Sequence, residues 1–128
     1  LLAAWRGQDL ESHAALRVLD DLDREFVTSQ IVRLELLPKP RYHRQTSEAR
    51  FCELHFADTV AEEPLSADLG SAALDLASEY GLAAMDALNL IAALRLGAGE
   101  FVTTEGPNKP LFRVPGIKVI SLHPAARD

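Results

Sequence analysis

Four short runs rich in β-branched and aromatic residues, each set between helical stretches, constrain this chain more than any other feature. They are Glu25–Thr28, Thr59–Glu62, Glu100–Thr104 and Ile117–Leu122. Runs of this length bounded by helices cannot close as simple hairpins, because the intervening chain is long enough to cross over a sheet. A sheet built this way is parallel and needs cover on both faces. The expected class is therefore α/β, a three-layer α/β/α arrangement around a central, mostly parallel sheet. In open sheets of this kind ligands gather at the carboxyl ends of the strands.

The helical stretches carry their own signals. Ala14, Ala15, Val18, Leu19 and Leu22 recur at helical spacing, with Ser12 as a capping candidate. Leu69, Ala72, Ala73, Leu76, Ala77 and Tyr80 form an apolar stripe that Gly81 closes as a left-handed cap. Another helix is expected from Ala84 to Leu96, stopped by Gly97, and one from Arg41 to Ala57, just after Pro40. Leucine and alanine supply 40 of the 128 residues, which favours helix.

The length allows one domain, spanning 1–128, with no linker, repeat or low-complexity tract. A lone Cys52 excludes an internal disulfide and a cysteine-based zinc site, and suits a reducing, cytoplasmic setting. No apolar run reaches the ~18 residues needed to span a bilayer, so no membrane association is expected. The net charge of −6 argues against indiscriminate attraction to nucleic acid. That charge is uneven: residues 51–94 hold eight acids and no Lys or Arg, whereas 33–50 hold five basic and two acidic residues. The first residue is Leu1, not Met, so residues preceding it are expected.

Several chemistries are missing from the sequence. It has no GxSxG elbow and no phosphate-binding P-loop. Gly97-Ala98-Gly99 reads as a helix stop, the four histidines lack ligand spacing, and Cys52 reads as a core residue ahead of a pair with His55.

Three carboxylates stand out. Glu35 follows the first strand within Ser29–Pro38, where Ser29 is a natural N-cap and Ile31 shares its helical face. The plain alternative is an i,i+4 pair with Lys39, worth about 0.2–0.5 kcal/mol, but Pro38 ends that helix first. Asp86 is the sole charge between Tyr80 and Leu94. It either caps its helix or faces a cavity or an ion. Glu105 sits at the tip of a strand, before Gly106-Pro107, with Thr103 and Thr104 preceding it. Were the three to converge, their mutual repulsion would need a cation. A hard divalent ion, Mg²⁺ or Mn²⁺, is the simplest answer and is suited to phosphodiester hydrolysis.

Taken in order, Leu1-Leu2-Ala3-Ala4-Trp5, Ser29 with Arg33-Leu34-Glu35-Leu36-Leu37, Tyr80-Gly81-Leu82 with Met85-Asp86-Ala87-Leu88, and Phe101-Val102-Thr103-Thr104-Glu105 resemble a PIN domain. In size and wording the chain is similar to the ribonuclease toxins of VapBC-type toxin–antitoxin pairs. The resemblance implies a Mg²⁺/Mn²⁺-dependent endoribonuclease, with Glu35, Asp86 and Glu105 as catalytic metal-binding acids. It implies Thr103 as a hydroxyl ordering that site, and an antitoxin protein as partner. Asn108 is either a neutral supporting ligand or a turn residue. Two departures matter: the family's first Asp belongs before Leu1, and its fourth acid is usually Asp where this chain has Glu105.

An RNA substrate needs cations, and Lys39, Arg41 and Arg44 follow Glu35 closely. Arg41 and Arg44 are i,i+3 neighbours able to hold phosphates; a solvated basic face is the competing reading. Phe51, Leu54 and Phe56 read as core ahead of a partner or homodimer contact. Two rivals stand beside the nuclease: a catalytically inactive PIN-like module binding protein or RNA, and an unrelated α/β interaction module.

Overall fold

The computed structural model describes residues 1, 4–5 and 10–124; Leu2 and Ala3 of the opening motif lie outside them. In chain order the elements are α1 (Leu10–Leu19), β1 (Val27–Ser29), α2 (Gln30–Leu36), α3 (Pro38–Tyr42), α4 (Thr46–Asp58) and β2 (Ala61–Glu63). They continue with α5 (Ala67–Tyr80), α6 (Ala84–Arg95), β3 (Glu100–Thr103), a 3₁₀ turn (Pro110–Arg113) and β4 (Lys118–Ser121).

The α/β class holds, and both strand pairings are parallel. β1 pairs with β2 from Val27 opposite Ala61 to Ser29 opposite Glu63. β3 pairs with β4 from Glu100 opposite Lys118 to Thr103 opposite Ser121. Among the described residues these are two separate two-stranded ladders. α6 packs on β1 and β2, and α5 lies along α6.

Local chemistry explains the boundaries. The Ser29 hydroxyl accepts the Val32 N–H at 3.3 Å, so the last strand residue is also the cap of α2. Ser66 caps α5 in the same way, accepting from Leu69 N–H at 3.1 Å. Gly81, at φ 71°, and Gly97, at φ 72°, close α5 and α6 in the left-handed region that glycine enters without a Cβ penalty. The helix-stop reading of Gly97-Ala98-Gly99 is therefore right.

Three local expectations need correction. Ser12 lies inside α1 and is buried, so it does not cap that helix. α1 also stops before Leu22, which is 99% exposed. The helix expected over Arg41–Ala57 is broken: Arg44 takes φ 55°, and Gln45 N–H closes onto Pro40 C=O at 2.8 Å. α3 therefore ends in its own left-handed turn, and Arg41 and Arg44 do not share a helix face. Pro38, which lacks an N–H, opens α3 as its first residue.

Two apolar clusters hold the fold. Ile31, Leu69 and Ala92 join α2, α5 and α6, with Leu88 and Ile91 against them. Leu37, Cys52 and Phe56 join the α2–α3 junction to α4, with Val32, Leu36 and Phe51 against them. Cys52 is fully buried, and burial pushes its thiol pKa up, so it is a core residue. Phe56 belongs to the core as expected, whereas Leu54 does not and is 57% exposed.

Candidate active site

Glu35 stands in the last turn of α2, and its carboxylate is held from outside its own helix. Asn89 Nδ2 on α6 donates to Glu35 Oε1 at 3.1 Å. Asn89 is three residues past Asp86, so the two share one face of α6. The fold thus brings the end of α2 against the first turns of α6. The other amide atom, Asn89 Oδ1, is buried without a hydrogen-bond partner among the described residues.

Asp86 lies in the first turn of α6, whose N-cap is Ala83 with no side-chain cap bond. Burial, then the charges of Glu105 and Glu35, push its carboxyl above the ordinary value of 3.8, while Lys109 pulls the other way. Both charges reach Asp86 from other segments of the chain. Carboxylates 51 and 19 residues to either side of Asp86 lie close enough to oppose its ionisation.

Glu105 is fixed through its backbone. Its N–H donates to Thr103 Oγ1 at 3.1 Å, and its C=O accepts from Ser121 Oγ at 2.6 Å. Ser121 Oγ also accepts the His123 N–H at 3.1 Å. One hydroxyl at the end of β4 therefore ties Glu105 to the chain that follows β4.

Several acids around the sheet and α4 are paired with arginines. Glu62 meets Arg33 at 2.6 Å, Glu63 meets Arg95 at 3.6 Å, Glu100 meets Arg24 at 2.7 Å and Glu53 meets Arg41 at 3.1 Å. Among the described residues Glu35, Asp86 and Glu105 form no such pair. Carboxylates without an arginine partner, together with the amide oxygen of Asn89, are oxygen donors of the kind a hard divalent cation takes. Among the described residues, however, no three His, Cys, Asp or Glu side chains lie close enough together to hold one ion. The donor chemistry fits a hard cation, while the described acids do not close on one ion.

Lys39, Arg41 and Arg44 are all exposed, on or just beyond α3. Arg41 is engaged by Glu53 from α4. Asn108 lies in the exposed turn after Glu105, beside Lys109. Asn89, Ser121 and Lys109 escaped the sequence reading. Asn89 had a usable signal, a polar residue one turn from Asp86 on an otherwise apolar helix. Ser121 had a weaker one, a hydroxyl at the carboxyl tip of the last strand.

A groove of about 870 Å³ separates the two ladders, lined by β1, β3 and α6 and reached by Glu35 and Asn89. The bonds from Lys118 N–H to Gly99 C=O and from Leu122 N–H to Thr103 C=O direct odd-numbered peptide groups of β3 toward β4. By alternation the peptide groups of Glu100 and Val102 face away from β4.

Residues 1–106 match the family model described as PIN domain. Comparison with curated proteins and with solved structures returned no significant match.

Proposed function

The chain belongs to the PIN domain family, whose members are generally metal-dependent nucleases, and on that premise we propose that it is a divalent-metal-dependent endoribonuclease. The observation that supports this reading is the bond from Asn89, on the Asp86 face of α6, to Glu35 at the end of α2, with the charges of Glu35 and Glu105 both felt at Asp86.

In this reading Glu35, Asp86 and Glu105 hold Mg²⁺ or Mn²⁺. Bound there, such an ion supplies Lewis acidity toward the phosphodiester and makes a water more acidic. The chain's own residues do the rest. Asn89 keeps the Glu35 carboxylate turned toward Asp86, and Thr103 and Ser121 fix the backbone from which Glu105 projects. Asn108 supports Glu105 from the following turn. Lys39 and Arg44 offer charge to RNA phosphates; Arg41 does so less readily, because Glu53 competes for it.

The groove between β1 and β3 supports a second element of the proposal. Two-stranded parallel ladders are poor structures alone, and the β3 peptide groups facing away from β4 need partners. An opening strand upstream of Leu1, paired between β1 and β3, would satisfy them. It would also deliver the family's first Asp to the same end of the sheet as Glu105.

The toxin role, with an antitoxin as inhibitor, is the finer reading. Exposed Leu34, Tyr42 and Leu54 on α2, α3 and α4 are apolar surface for a partner segment or a homodimer contact. No described helix is long and apolar enough to cross a membrane, and the reduced Cys52 suits a cytoplasmic protein.

The open ligand geometry and the Glu at position 105 favour one rival, an inactive PIN-like binding module. Cleavage of single-stranded RNA with added Mn²⁺, by protein carrying its natural upstream residues, separates the two. The nuclease reading expects cleavage that stops with EDTA, returns with Mn²⁺ or Mg²⁺, and falls at least about 100-fold in Asp86→Asn. Full activity in Asp86→Asn would reject the site.

A further inference from the structure

The turn after β3 forms a hollow of about 490 Å³, within the size range of small-molecule sites. Thr104, Glu105, Asn108 and Lys109 from the turn line it together with His123 from the chain after β4. Its walls are tied together: Ser121 Oγ donates to Glu105 C=O and accepts from His123 N–H, and Lys109 N–H closes the turn onto Gly106 C=O at 3.2 Å. The hollow is therefore a built feature of the sheet end.

It carries a cation, Lys109. Arg24, Arg33, Arg41 and Arg95 are each engaged by a carboxylate. Lys109 is exposed, forms no ion pair among the described residues, and its field reaches Asp86. It is thus a cation at the edge of the acidic cluster that is still available to a ligand. A single strand crossing the acids gains where a cation close by meets the phosphate next in line. His123 adds a flat ring to the lining, the kind of surface on which an unpaired base stacks.

Resting on the nuclease reading above, we propose that this hollow is a nucleotide subsite of the single-stranded RNA substrate, with Lys109 binding the phosphate next to the scissile one and His123 forming the wall against its base. The sequence reading placed RNA contacts on Lys39, Arg41 and Arg44. This subsite follows the last of the three acids in the chain, whereas those residues follow the first, and it fixes which part of the strand sits over Asp86.

The test is binding of a fluorescent single-stranded RNA in EDTA, where no cleavage occurs, measured across a salt series. It is paired with the kinetics of cleavage of the same RNA in Mn²⁺. Lys109→Glu is expected to weaken binding by roughly three- to tenfold or more and to lower the salt slope by about 0.7, the loss of one phosphate contact on a single strand. KM should rise in step, Lys109→Arg should restore both, and His123→Ala should weaken binding with the salt slope unchanged. Unaltered affinity and slope in Lys109→Glu, with wild-type protein binding RNA, would overturn the subsite and leave the nuclease reading standing. A loss confined to kcat would also overturn it, assigning Lys109 to the acids instead. Wild-type protein that neither binds nor cleaves RNA would overturn both.

Discussion

Asn89 and Glu35 are 54 residues apart in the chain and 3.1 Å apart in space, and their hydrogen bond joins α6 to the end of α2. It makes a neutral side chain the support of an acid. Without it the Glu35 carboxylate would be free to rotate toward solvent. Asn89→Ala is therefore expected to lower RNA cleavage about tenfold, while the loss of one hydrogen bond costs about 1 kcal/mol of stability. Kinetics and denaturant unfolding on the same preparation check this. Undiminished cleavage would show that Glu35 needs no such support.

Asp86 carries a pH signature. Its folded-state pKa is raised above 3.8 by burial and by Glu105 and Glu35, so the folded chain holds a proton that the unfolded chain has released. The stability of the neutral carboxyl is fully present below 3.8 and is lost as the pH rises through the raised value. Asp86→Asn stays neutral throughout. Its melting temperature should approach that of the wild type at the acid end and exceed it increasingly toward pH 7. A difference that does not vary with pH would mean that Asp86 feels neither acid.

A divalent ion should reverse that penalty. Melting of the wild type in millimolar Mn²⁺ is expected several degrees above melting in EDTA, because an ion that binds the native state stabilises it by mass action. Asp86→Asn should lose most of the increment. An equal increment in both proteins would place the ion elsewhere.

Ser121 is the clasp of the Glu105 turn. Ser121→Ala leaves the Glu105 C=O and the His123 N–H without their partner, at a cost of about 1–3 kcal/mol where water does not replace the hydroxyl. Cleavage should fall with it, as Glu105 loses its fixed backbone. Chemical denaturation gives the first number and kinetics the second.

Arg44 separates stability from binding. Its φ of 55° is a left-handed conformation that a glycine adopts without strain. Arg44→Gly is expected to gain about 0.5–1 kcal/mol, the strain relieved less the larger unfolded-state entropy of glycine. The same change should weaken RNA binding if Arg44 meets phosphate. Unchanged binding would return it to a solvated basic face.

Much of this molecule was legible before any coordinates. The caps at Ser29 and Gly81 and the parallel α/β class follow from signals spanning a few residues, because capping, periodicity and crossover length are local properties of the backbone. Glu35, Asp86 and Glu105 stood out for the same reason, each being an acid that its own segment does not explain. Local signals misled where a longer-range geometry won. The run from Arg41 to Ala57 reads as one helix, yet Pro38 starts α3 early and a left-handed Arg44 lets the chain turn before α4.

By itself, then, the sequence determined the strand–helix alternation, the family-like order of motifs and the choice of Glu35, Asp86 and Glu105 as candidate acids. Only tertiary structure decided what stands around them. Packing of α2 against α6 turned Asn89 onto Glu35, pairing of β4 with β3 delivered Ser121 to Glu105, and α4 supplied the Glu53 that occupies Arg41. Each relation depends on where two distant segments come to rest, which the buried Ile31–Leu69–Ala92 and Leu37–Cys52–Phe56 clusters govern. No spacing within either segment encodes such a meeting.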